Sequence, residues 1–145
     1  MDTIYPLTVY YDHSCPICRN EVFRLNQRDH ANQMLLVDCS SAGFTPPAGA
    51  PAQEAMMQLI HAQTANGSWL VGVPVFQHMY RASGFGSFAG WLAKPKVMRI
   101  MTRIYPHIAR HRYLIPGWAT HVFINLLARK SVKRSQTCTK NQCSL

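Results

Sequence analysis

The chain has 145 residues, of which 48% are hydrophobic, and a formal net charge of +9. That content excludes a disordered chain and suits one compact domain with a helical annex. No apolar run is long enough to span a bilayer as a helix, and no basic segment followed by an apolar stretch opens the chain, so the expected location is the cytoplasm.

The charge is unevenly placed. All six acids (Asp2, Asp12, Glu21, Asp29, Asp38 and Glu54) lie in the first 54 positions, which carry a net charge of −3. The rest of the chain carries twelve Lys and Arg and no acid. Such segregation points to an anionic partner for the second part.

Leu7-Thr8-Val9-Tyr10-Tyr11 is rich in β-branched and aromatic residues and reads as a first strand. A turn, Asp12-His13-Ser14, leads to Cys15-Pro16-Ile17-Cys18. Pro16 suits the first position of a helix, where its missing N–H would have had no partner. Ile17, Cys18, Val22 and Leu25 recur at helical spacing, and the helix is expected to end near Asp29-His30. Met34-Leu35-Leu36-Val37-Asp38 reads as a buried second strand, parallel to the first through a right-handed crossover.

Residues 40–51 contain Pro46, Pro47, Gly49 and Pro51 and read as a loop, with a short helical turn from about Ala52-Gln53-Glu54. Residues 57–63 and 68–71 flank Thr64-Ala65-Asn66-Gly67, and Asn-Gly between apolar runs signals a hairpin. Pro74 opens a helix over 75–81 that Ser83-Gly84 closes. Ser87 is the expected cap of a helix over 88–93. Residues 96–105 are amphipathic, with Val97, Ile100, Met101, Ile104 and Ile108 on one stripe and Lys96, Arg99, Arg103 and Arg110 on another. The apolar stripe is expected to pack on the sheet, and Pro106 to kink or divide the helix. Residues 118–128 read as a last helix, and 129–145 as a basic, disordered tail bearing Cys138 and Cys143. The expected division is therefore a redox domain over 1–83, a packed helical annex over 84–128 and a tail over 129–145.

The segment Tyr11-Asp12-His13-Ser14-Cys15-Pro16-Ile17-Cys18-Arg19-Asn20-Glu21-Val22 resembles the signature of the DCC family (DUF393) of predicted thiol–disulfide oxidoreductases. Asp12, Cys15 and Cys18 match its Asp-x-x-Cys-x-x-Cys pattern. The resemblance continues through Leu36-Val37-Asp38, the Asn66-Gly67 hairpin with Val71-Gly72-Val73, and Ala109-Arg110-His111-Arg112-Tyr113. It implies an α/β, thioredoxin-like fold, in agreement with the βαβ unit, hairpin and helix read above. Two departures from thioredoxin stand out. No proline precedes the expected third strand, where Ala55-Met56-Met57 stand, and Val9 replaces the buried acid six residues before Cys15.

Strand, Cys-x-x-Cys, helix in an apparently cytosolic chain points to thiol–disulfide exchange. A thiolate is the attacking species, and a helix N-terminus favours negative charge on sulfur. Cys15 is therefore the expected nucleophile and Cys18, one turn on, the resolving thiol. Asp12 either shuttles a proton to Cys18 or only shapes the turn, and His13 reads as a turn residue. The rival chemistry is a metal site built on His13, Cys15 and Cys18 with Cys39 or the tail cysteines. A redox-sensing interaction module without turnover is the rival function. No cofactor is expected. The expected partners are protein or small-molecule thiols and disulfides, with an anionic membrane surface as a candidate for the basic C-terminal part. No nucleic-acid motif is present.

Overall fold

The computed structural model describes residues 4–115 and Trp118. Four strands form one sheet: β1 (Leu7–Tyr11), β2 (Met34–Asp38), β3 (His61–Gln63) and β4 (Trp69–Val71), in the order β2-β1-β3-β4. β1 pairs in parallel with β2, from Leu7 opposite Met34 to Tyr11 opposite Asp38. It pairs antiparallel with β3, which pairs antiparallel with β4. The helices are α1 (Pro16–Asn26), α2 (Gln53–Gln58), α3 (Val73–Ala82), α4 (Gly86–Leu92) and α5 (Pro95–His111). The mixed sheet with its βαβ unit, hairpin and following helix is thioredoxin-like.

β1 is central and buried on both faces, which explains its near-continuous apolar sequence. Leu7, Val9 and Tyr11 point into the main core with Val22 and Leu25 of α1 and Val75 and Met79 of α3. Tyr10 points the other way, onto Met56 of α2 and Cys39. The β3–β4 turn is closed by Thr64 and Ser68, with the Thr64 N–H donating to the Ser68 carbonyl at 2.9 Å. Gly67 sits there at φ 84°, a conformation that glycine adopts without strain.

Several boundaries differ from the sequence expectation. Residues 57 and 58 belong to α2, so β3 starts only at His61. An apolar run does not distinguish strand from helix, and here Met56 buries itself in helical geometry against the Tyr10 face. α3 starts two residues earlier than expected, at Val73, with Gly72 at its N-cap. α4 starts at Gly86 with Phe85 at its N-cap, and Ser87 is not the cap. α5 runs undivided through Pro106. Thr102 and Pro106 lie on its exposed side, so the carbonyl that the proline leaves without a helical donor is open to solvent.

The packed face of α5 is also rotated from the expected one. Val97, Met98, Met101 and Tyr105 rest on the main core, and Ala109 is buried. Ile100, Ile104 and Ile108, expected to pack, are exposed. The apolar arc of α5 is wider than the surface it has to cover. The large Tyr105 ring, packed edge-on against Phe76 of α3, fixes which part turns inward. The expected helix over 118–128, apart from the exposed Trp118, and the tail with Cys138 and Cys143 lie outside the described residues.

Candidate active site

β1 ends at Tyr11, and the chain turns through residues 12–14 before α1 begins at Pro16. Asp12 makes this turn: its Oδ1 accepts the Ser14 N–H at 3.0 Å and the Ser14 hydroxyl. Asp38, at the end of β2, braces it from the side by accepting the His13 N–H at 3.3 Å and the Ser40 N–H at 2.8 Å. Burial pushes the Asp38 carboxyl up, but hydrogen bonds from Ser40 and His13 outweigh it and hold the group below its ordinary 3.8.

Cys15 is the N-cap of α1, and no acid stands in the first turn to oppose negative charge there. The Cys15 carbonyl accepts the Arg19 N–H at 3.0 Å, which starts the helix. Cys15 is 0% exposed, whereas Cys18 is half-buried, and both are free thiols. The Cys18 thiol is pushed up to about 12, first by burial and then by hydrogen bonding and charge from the adjacent Cys15. Arg112 acts against this shift and Asp12 adds to it. At neutral pH Cys18 therefore holds its proton.

Asp12 and Cys18 line one small cavity together with Tyr11, Val22, Met56 and Ile60, and with Phe76, Tyr105 and Arg112. Its volume of about 20 Å³ is room for one water molecule. On the far side of Asp12, Oδ2 takes a hydrogen bond from the Arg112 guanidinium at 2.7 Å and another from the Tyr113 hydroxyl. The Asp12 side chain is 1% exposed and that of Arg112 is 9% exposed, so this is a buried ion pair. Arg112 also donates to the carbonyls of Met57 and of Gln58, the latter at 3.1 Å, which ties the end of α5 to α2. A buried guanidinium with so many acceptors is a fixed part of the site.

The structure thus brings together Asp12, Cys15 and Cys18 and adds Arg112, Tyr113, Tyr105 and Ile60. The Tyr105 hydroxyl accepts the Ile60 N–H at 3.3 Å, and its own ionisation is pushed up to about 12, chiefly by burial, with the charges of Cys18 and Cys15 contributing. Ile60 is the residue before β3, and this N–H is one that a proline would lack. Tyr105 also presses on Gly72, where an added Cβ would lie 3.2 Å from the ring.

His13 and Cys39 make contacts of their own. His13 Nδ1 lies 3.0 Å from the Tyr11 hydroxyl, and its ring packs edge-on against Tyr11 and Phe23. Cys39 is buried beneath Tyr10 and Met56, in the other core cluster, with its thiol pushed up to about 12, mainly by burial. Among the described residues no three His, Cys, Asp or Glu side chains converge as a metal site, so His13, Cys15 and Cys18 do not form a ligand set.

A thioredoxin-like sheet with a Cys-x-x-Cys pair at the start of the helix after its central strand defines a class of thiol-bearing redox folds. Within that class, residues 9–118 match the DCC1-like thiol-disulfide oxidoreductase family, and the chain belongs to it. An uncharacterised chloroplastic protein of Arabidopsis thaliana is 26% identical over 140 residues, covering 95% of this chain and 64% of that protein. The chain therefore spans less than two thirds of the length of this relative. No solved structure gives a significant match.

Proposed function

We propose that the protein is a thiol–disulfide oxidoreductase that works through the Cys15–Cys18 pair. The carrying observation is the unequal placement of the two sulfurs. Cys15 caps a helix with no acid in its first turn, and Cys18 is held protonated beside a buried carboxylate. That asymmetry suits a nucleophile and a resolving thiol.

In the reductive direction, the Cys15 thiolate attacks one sulfur of a substrate disulfide. The substrate S–S bond breaks, one substrate thiolate leaves, and a mixed disulfide forms on Cys15. Asp12 takes the Cys18 proton through the single water that the cavity accommodates. The Cys18 thiolate then attacks the Cys15 sulfur, releases the second substrate thiolate, and closes the Cys15–Cys18 disulfide. Two electrons pass to the substrate, and a thiol reductant must return them for turnover. Arg112, paired with Asp12 at 2.7 Å, holds the carboxylate in place and favours its return to the charged form, so that Asp12 passes the proton on to the departing substrate thiolate.

Because Cys15 is fully buried, substrate reaches it only after local opening around the sulfurs. Residues 1–83 are read as the redox unit and 84–128 as its annex, yet the annex completes the site by supplying Tyr105 and Arg112. The reading requires a compartment in which the dithiol is re-reduced, such as the cytoplasm. Substrates are protein or small-molecule thiols and disulfides.

The burial of Cys15 also favours a second reading, a redox-sensing interaction module without turnover. Multiple turnovers of a small disulfide reagent with a thiol reductant separate the two. Cys15→Ser is expected to abolish exchange, and Cys18→Ser to trap a mixed disulfide on Cys15. Equal rates for wild type and Cys15→Ser would exclude the proposed mechanism.

A further inference from the structure

The outward side of α5 has a composition unlike an ordinary solvent-facing helix. Ile100, Ile104 and Ile108 recur every fourth residue and are 56%, 44% and 45% exposed. At helical spacing they form one continuous apolar strip. Lys96, Arg99, Arg103 and Arg110 lie beside it, all exposed. No acid interrupts them, because none occurs after Glu54. Exposed helices normally mix both signs of charge, which here are missing on the acidic side.

The opposite side of α5 is committed to the domain through Met98, Met101, Tyr105 and Ala109. The helix therefore lies along the protein surface and presents its strip and its cations together. No described helix is long and apolar enough to cross a membrane. An apolar strip bordered by cations matches a bilayer surface of anionic lipid. Isoleucines enter the acyl boundary while arginines contact the headgroups. Nucleic acid would engage the cations and leave the isoleucines in water.

We infer that the Ile100–Ile104–Ile108 strip of α5 and its flanking Arg99, Arg103 and Arg110 dock the protein on anionic membranes. The surface is separate from the cavity that holds Cys18 and Asp12, so docking and thiol chemistry are separable.

The test is co-sedimentation of the full chain with vesicles of phosphatidylcholine alone or mixed with phosphatidylglycerol. Binding is expected to the mixed vesicles at low salt and to weaken as salt rises. Replacing Ile100, Ile104 and Ile108 together by Ser is expected to weaken it about tenfold or more. Arg99→Gln and Arg103→Gln are each expected to cost about fivefold. An unchanged far-ultraviolet circular dichroism spectrum and melting temperature show that each variant is folded. Equal sedimentation with both vesicle types overturns the inference. So does undiminished binding of the triple Ile variant, which would assign the lipid contact to another segment. A dimer that dissociates on the same Ile changes would identify a second copy as the occupant, and retention on RNA independent of the isoleucines would identify a polyanion. Either result overturns it as well.

Discussion

Arg112→Met removes one half of the buried ion pair while keeping much of the side-chain volume. Three consequences follow from the geometry. Asp12 Oδ2 loses its 2.7 Å donor, the carbonyls of Met57 and Gln58 lose theirs, and the end of α5 is released from α2. Breaking a buried pair by removing one partner costs about 3–5 kcal/mol. Asp12 keeps donors from Ser14 and Tyr113, so the lower end applies, about 3 kcal/mol. For a domain of this size that is a fall of about 10 °C in melting temperature. Urea unfolding of Arg112→Met, Asp12→Asn and the double variant measures the coupling directly. With the charge already gone in Asp12→Asn, the Arg112→Met change should cost at least about 1 kcal/mol less than in wild type. Additivity within about 0.5 kcal/mol would show that the pair is not coupled and would refute the ion-pair account.

Stability should also fall at alkaline pH. Cys18 and Cys39 are raised from 9.0 to about 12 in the folded protein, so the fold favours the neutral thiols. Their contribution is fully present below the unfolded value near 9 and is lost as pH rises towards 12. Urea midpoints across that range should drop, and less steeply in Cys39→Ala; a flat profile would contradict it. Gly72→Ala should destabilise by about 1–3 kcal/mol, because φ is 71° and the new Cβ meets Tyr105. The same change should alter Cys18 alkylation kinetics, since Tyr105 lines the Cys18 cavity; unchanged kinetics would place Tyr105 outside the site's control.

Much of the sheet and its first helix was legible because the signals are local. The strand at 7–11, the helix from Pro16 and the strand at 34–38 follow from short-range pattern alone; the structure has both strands with the same residues, whereas the helix starts at Pro16 as expected but ends at Asn26 and not near Asp29-His30. The Asn66-Gly67 turn marked the hairpin, but α2 took the first residues of its expected leading strand. Arg112 could not be found this way. Its partner Asp12 lies 100 residues earlier, and a lone arginine on a basic helix has no signal of its own. Its place in the stretch that resembles the DCC pattern was the nearest hint. Tyr105 and Ile60 escaped for the same reason, since their bond spans 45 residues. Helical periodicity identified the apolar residues of α5 but not which of them turn inward. Tertiary packing by Tyr105 and Arg112 settled that, and it left three isoleucines outside.

The most direct test of the Cys15–Cys18 chemistry is equilibration of the full chain in glutathione redox buffers, with the oxidised pair located by mass spectrometry of thiol-alkylated peptides. The account predicts a two-electron transition to a Cys15–Cys18 disulfide, at a potential between about −270 and −120 mV, with Cys39 remaining a thiol. A pair that never closes, or oxidation that joins Cys39 to either sulfur, would contradict it.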